Sequence, residues 1–252
     1  MLDANRLPFV ILTYPRSGST WLVSLLNQVE GITAYGEMFL QRKRAPGEPR
    51  WDADFAHTRF IETNHVYRVR PMRVFAYLDD LYDQDGAVGF KLMSAHLRGF
   101  PELLAYFRMR RVRVIHLVRT NTLDQIISQA LTVQLAQSHR LAGQTIQDNV
   151  QVTLNTATLV KNLRDKQRTI RRMETLLRLT RLPVHRVSYE ELQRGAAAFR
   201  AVCAYLSVPH LAQVPDSRFI KIRRESHLDI LKNYHEVIQA LQGTPFFDLV
   251  EK

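Results

Sequence analysis

Residues 9–22 read Phe9-Val10-Ile11-Leu12-Thr13-Tyr14-Pro15-Arg16-Ser17-Gly18-Ser19-Thr20-Trp21-Leu22. The run from Phe9 to Tyr14 is apolar with no polar alternation, which suits a strand buried on both faces. Pro15, Ser17, Gly18 and Ser19 then make a tight turn. Beyond it Trp21, Leu22, Leu25, Leu26 and Val29 recur at helical spacing. A strand that feeds a helix through a small-residue turn aims several backbone N–H groups at one point. The helix dipole adds positive potential there. Arg16, Ser17, Ser19 and Thr20 bring side-chain donors to the same place, so the stretch predicts an anion cradle.

Strand-turn-helix corners are common, and most bind nothing. This one carries an Arg flanked by hydroxyls. It lacks the GxxxxGK[ST] pattern whose Lys reaches the β- and γ-phosphates of a nucleoside triphosphate. The segment YPRSGSTWL instead resembles the 5′-phosphosulfate loop, usually close to YPRSGTTWL, of sulfotransferases that use 3′-phosphoadenosine 5′-phosphosulfate (PAPS). The resemblance implies that Arg16, Ser17, Gly18, Ser19, Thr20 and Trp21 bind the 5′ end of that donor. It also implies that no metal is needed.

Composition is compatible with this. The chain has 252 residues, 46% of them hydrophobic, enough for one sizeable α/β domain over 1–252. No apolar run approaches the roughly 18 residues of a membrane span, and MLDANRLPFV has no signal-peptide architecture. The single cysteine, Cys203, lies in the apolar helical pattern FRAVCAYL. It predicts a buried structural thiol and fits a reducing, cytoplasmic setting. No Cys/His cluster has zinc spacing. The net charge of +11 suits nucleic acid, a polyanionic cofactor or an acidic surface. The basic residues are not interleaved with aromatics and no recognition-helix signature occurs, so nucleic acid is not expected as a partner.

Three side chains downstream suggest chemistry. Glu37 follows Gly36 at the exit of a short strand over Ile32–Tyr35. Partial burial there would raise its carboxyl and fit it for general-base work. The GE-x-F element also resembles bacterial sulfotransferases acting on carbohydrates and related acceptors, whose corresponding Glu is the proposed base. Lys91 lies inside the apolar strand Ala87–Met93, an expensive position unless its amine reaches an anion or the strand end. GFKLM resembles the family strand whose Lys lies near the transferring sulfuryl group. His96 follows five residues later, a longer spacing than the KTH pattern of cytosolic sulfotransferases, and is the runner-up base.

A third strand over Val112–Val118 ends at Arg119. Asn121 is a candidate N-cap for a helix over Leu123–His139. Arg119 and Ser128 could face one ligand phosphate, since arginine offers a forked donor set. VIHLVRTNTLDQIIS resembles the family's 3′-phosphate site, which implies that role for both residues. The helical stripe Val150, Leu154, Ala157, Val160 and Leu163 begins a long basic region over 140–182. Its cations read mostly as a solvated face, with an acidic acceptor or anionic membrane as the functional alternative. VSYEEL resembles a structural strand-turn of the family. The C-terminal SRFIKIRRESHLDILKNYHEVIQALQGTPF resembles the family's closing segment, in which Lys221 and Arg223 would cover the 3′-phosphate. Residues 41–86, with a Pro- and charge-rich loop and helical patterns over DADFAHTRFIETN and PMRVFAYLDDLY, form a variable insertion suited to acceptor choice.

Strands alternating with helices predict a three-layer α/β/α sandwich with a mostly parallel sheet, P-loop-like in topology. Ligands then gather at the C-terminal strand ends. The expected activity is sulfuryl transfer from PAPS to a hydroxyl of a carbohydrate, lipid-linked or other small-molecule acceptor. The alternatives are a kinase-like nucleotide enzyme and a non-catalytic basic binding module.

Overall fold

The protein, seen in a computed structural model, is described over residues 6–41, 57–63, 69–135, 140–141, 150–208, 219–220 and 226–250. The apolar run becomes β1 (Arg6–Thr13), buried along its last six residues. It is followed by α1 (Ser19–Leu26), β2 (Ile32–Glu37), α2 (Arg70–Leu81), β3 (Gly86–Met93), α3 (Glu102–Arg110), β4 (Arg113–Val118), α4 (Thr122–Leu135), α5 (Thr156–Thr180), β5 (Val184–Ser188), α6 (Tyr189–Arg194), α7 (Ala196–Tyr205) and α8 (Tyr234–Leu241). Five strands pair in the order β2-β3-β1-β4-β5, every pair parallel. A short antiparallel pair, Arg140–Leu141 with Phe219–Ile220, stands apart from that sheet.

The chain divides into two compact units, Met1–Val118 with Leu176–Asp216 and Arg119–Thr175 with Ser217–Lys252. The first holds the sheet, covered on both faces as parallel strands require. On one face Phe9, Ile11, Ala87, Ile115 and Val187 pack with Leu22, Leu25 and Leu26 of α1 and Phe199, Val202 and Cys203 of α7. Cys203 is fully buried and its thiol is pushed up by that burial, as a structural cysteine should be. On the other face Phe90 meets Phe39, Tyr82 and Phe107. Tyr77 of α2 packs edge-on against Phe39 and Phe60. The chain leaves β1 toward β2 and β3 on one side of the sheet, whereas β4 and β5 lie on the other. The loop after β1 therefore stands at the switch point, where open α/β sheets bind ligands.

The second unit has its own apolar cluster. Leu123, Ile127 and Leu131 of α4, Leu159 and Leu163 of α5, and Val237 and Leu241 of α8 enclose it with Ile230 and Phe246. Asn121 caps α4 as expected, its side-chain oxygen accepting from the Asp124 amide at 3.0 Å.

Two helical expectations are corrected. Val150 and Leu154 do not belong to α5, which begins at Thr156. They flank Val152, whose amide donates to the Ile230 carbonyl at 2.8 Å and whose carbonyl accepts from Lys232 at 3.0 Å. These side chains join the apolar cluster from extended chain, so burial alone mimicked helical spacing. Residues 57–63 hold only a 3₁₀ turn, Phe60–Glu62. Thr58 is tied by its carbonyl to the Tyr77 hydroxyl at 2.8 Å. His65, Tyr67, Arg68, Lys221, Arg223 and most of the loop after Gln41 lie outside the described residues.

Candidate active site

The loop after β1 is held from within. Arg16 takes a left-handed backbone, φ 63°, and Gly18 another, φ 81°. Gly18 needs its missing side chain twice, because a Cβ there would lie 2.3 Å from the Tyr189 ring. Tyr189 in turn packs edge-on against Trp21, with centroids 5.6 Å apart. It is anchored by a capping box at the start of α6, in which Ser188 and Glu191 exchange side-chain and backbone hydrogen bonds. Thus the VSYEEL segment braces the loop.

Ser17 departs from expectation. Its hydroxyl is fully buried, donates to the Tyr14 carbonyl at 2.7 Å and meets the Thr13 hydroxyl. These contacts stiffen the turn. Ser19 is also buried, and Thr20 is half-buried. The Leu22 amide donates to the Gly18 carbonyl at 3.0 Å, the first bond of that helix.

Lys91 explains its costly position. Its amine donates to Thr20 Oγ1 at 3.2 Å and pairs with Glu37 Oε1 at 2.9 Å. Register produces that pair. β2 follows β3 residue for residue from Ile32↔Ala87 to Tyr35↔Phe90, then slips at Gly36 so that Glu37 stands opposite Lys91. Bulges commonly re-aim a side chain in this way. His96 opens a short helix, His96–Gly99, just after β3, its Nε2 3.9 Å from Glu37 Oε2. Its Nδ1 is buried with no hydrogen-bond partner among the described residues. Loop, Lys91, Glu37 and His96, four features separated in sequence, are thereby gathered in one place.

The expected rise of the Glu37 carboxyl is overturned. Burial does push it up, but Lys91, His96 and Arg59 outweigh burial and hold it below the ordinary carboxylate value. Burial is also the main influence on His96 and lowers it, aided by Lys91 and opposed by Glu37. Near neutral pH the site therefore holds an ionised carboxylate and a neutral imidazole. Arg59, itself buried, escaped the sequence reading because it sits in the insertion, where no periodicity marked it.

A family model described as the sulfotransferase family matches residues 8–213. The chain belongs to the sulfotransferase family. Among solved structures it is similar to a sulfotransferase from Alicyclobacillus acidocaldarius, at 18% identity and a TM-score of 0.49, over 87% of each chain. No curated protein matches it. Membership sets aside the kinase-like and non-catalytic alternatives. It accords with the parallel sheet covered by helices on both faces.

In this sulfotransferase the second unit holds the remaining expected ligands. Arg119 follows β4 and is buried. Its Nη2 donates to Asp124 Oδ2 at 2.7 Å. Asp124 Oδ1 lies 2.8 Å from His227 Nε2. Ser128 is one helical turn beyond Asp124, whereas Ile127 is fully buried in the apolar cluster. That difference gives position 128 rather than 127 the polar face. Asp124 and His227 were missed. An acidic residue in the first turn of a capped helix reads as a dipole partner, and His227 is 103 residues away from it. Of the basic region, α5 leaves Lys161, Arg164, Arg168, Arg171, Arg172 and Arg178 exposed. Lys166 is only partly exposed, and burial lowers its amine. Among the described residues no helix is long and apolar enough to cross a membrane, and no His/Cys/Asp/Glu group could hold a metal ion.

Proposed function

We propose that the protein transfers a sulfuryl group from PAPS to an acceptor hydroxyl, with Glu37 as the base. The observation that carries this is the placement of Lys91 between Thr20 of the phosphosulfate-type loop and Glu37. The donor set fits such a group: the amides of a loop ending at a helix N-terminus, the guanidinium of Arg16, hydroxyls at Ser19 and Thr20, and one ammonium. PAPS supplies the activated sulfuryl group, with 3′,5′-phosphoadenosine (PAP) as the leaving product. In this reading Gly18, Trp21 and the backbone at Ser17 shape the loop around the 5′ end. Arg119 and Ser128 serve the 3′-phosphate, as Lys221 and Arg223 would by resemblance.

Lys91 and Arg16 stabilise negative charge near the point of transfer, where preorganised cations outperform water. Glu37 Oε1 is committed to Lys91, which leaves Oε2, on the His96 side, to receive the acceptor proton. Once the charge of Lys91 is shared with another anion, burial becomes the dominant influence on Glu37 and raises its basicity. His96 is the second candidate, favoured by its neutral ring and its unpartnered buried Nδ1. The acceptor is an alcohol or phenol, with carbohydrate and lipid-linked hydroxyls included.

Calorimetric titration with PAP tests this. Saturable one-to-one binding by wild type, greatly weakened in Arg16→Ala and Arg119→Ala, is the expected result. A folded wild type that ignores PAP and turns over ATP would overturn the proposal.

A further inference from the structure

The cluster around Asp124 contains one group more than an anion site built on Arg119 requires. Asp124 accepts from Arg119 at one oxygen, 2.7 Å away, and faces His227 with the other at 2.8 Å. The His227 side chain is only 2% exposed, and its Nδ1 lies 2.9 Å from the Val250 carbonyl. Both ring nitrogens thus meet acceptors, a carboxylate and a carbonyl.

The anchoring runs further. Ser226 and Asp229 form a capping box around the turn that starts at His227. Asn121 donates from Nδ2 to the Leu249 carbonyl at 3.1 Å and accepts from the Asp124 amide. The ring is therefore fixed from both sides, and the carboxylate inherits that fixity. A guanidinium on a long side chain has rotamer entropy to lose on binding. Holding it beforehand removes part of that cost from ligand association.

We propose that His227 is a positioning residue for the anion site, acting on Arg119 through Asp124. It fixes the guanidinium by fixing the carboxylate that holds it, and so sets the preference for a 3′-phosphorylated nucleotide. The inference rests on the proposed role of Arg119 toward the 3′-phosphate of the donor.

The test compares PAP with adenosine 5′-monophosphate, which lacks the 3′-phosphate, by calorimetry on the full chain. The variants are Arg119→Ala, His227→Ala, His227→Gln, Asp124→Ala and the double variant His227→Ala/Asp124→Ala, with thermal melts to confirm folding. Loss of one charge-assisted hydrogen bond is expected to weaken PAP about tenfold in His227→Ala. Adenosine monophosphate should be unaffected. His227→Gln, which keeps a donor, should recover part of the loss. In the Asp124→Ala background, removing His227 should cost nothing further, since the cycle isolates an effect transmitted through the carboxylate. If a folded His227→Ala weakens both nucleotides equally, or if its effect adds fully to that of Asp124→Ala, the inference fails while the Arg119 assignment stands. If Arg119→Ala leaves the PAP preference intact, the underlying assignment fails instead. Should His227→Ala not fold, an unchanged PAP preference in His227→Gln and Asp124→Asn would overturn the inference.

Discussion

The two buried cation–carboxylate pairs are built differently. Lys91 and Glu37 come from neighbouring strands, and their meeting depends on register. Around them the contacts are looser, with His96 3.9 Å from the carboxylate and one imidazole nitrogen unpartnered. Arg119 and Asp124 lie five residues apart at a helix start, and His227 closes the cluster with hydrogen bonds of 2.8 and 2.9 Å. The first arrangement leaves a carboxylate able to change partners, which proton transfer requires. The second removes that freedom, which suits recognition. The same pair of charges serves different ends according to how many further contacts hold it.

The sharpest way to break this contrast is to remove Lys91. Lys91→Ala should lower kcat about a thousandfold and strand a buried Glu37 without its main counter-charge. The acid limb of the pH–rate profile should then move to higher pH, because burial is left to dominate. A profile that stays in place would mean that Lys91 does not control the carboxylate. Glu37→Gln should cost about a hundredfold in kcat with PAP affinity nearly unchanged. An equal loss for His96→Asn, with Glu37→Gln active, would transfer the base role to the imidazole.

His116 offers a third comparison, a buried group outside both pairs. Its ring is 1% exposed and bonded to the Tyr14 hydroxyl at 2.9 Å. Burial, aided by Arg186, lowers it from 6.5 to about 4. Above pH 6.5 the ring is neutral whether the chain is folded or not, so it adds no pH dependence there. Below that value the unfolded chain takes up a proton that the folded protein resists until about pH 4. Stability should therefore fall by about 3 kcal/mol across that window. Denaturant titrations of wild type and His116→Asn, compared from pH 7 to 4, should differ by this slope.

Gly18→Ala meets both a left-handed backbone and the Tyr189 ring, and should destabilise by about 2 kcal/mol. Partial recovery in a Tyr189→Leu background would separate the steric share from the backbone share. The smallest effect is expected from Ser128→Ala, about a threefold loss of PAP affinity with no change in melting temperature.

Local chemistry was legible in the sequence, whereas partnerships across the chain were not. The anion loop, the parallel strands and the Asn121 cap each follow from neighbours within a few residues. The cost of burying Lys91 likewise announced a partner without naming it. The direction of the Glu37 shift was misread because burial can be inferred from flanking apolar residues, while the opposing ammonium stands on another strand. Ser17 reads as a ligand donor in any hydroxyl-rich turn, and only the fold shows it facing inward. The extended chain around Val152 imitated a helix because both conformations bury alternate groups of apolar side chains. His227 and Asp124 carry no shared pattern, since their contact is a product of tertiary structure.

Gly36 has a consequence for how this segment tolerates change. A strand assigns its side chains by parity, odd positions to one face and even positions to the other. The extra residue at Gly36 resets that count once, between Tyr35 and Glu37. Were the strand to run on without that slip, Gly36 would stand opposite Lys91 and Glu37 opposite Leu92. A substitution at Gly36 that straightened the strand would therefore do more harm to the site than many substitutions around it. The slip between Tyr35 and Glu37 is as binding on the site as the identity of the acid itself.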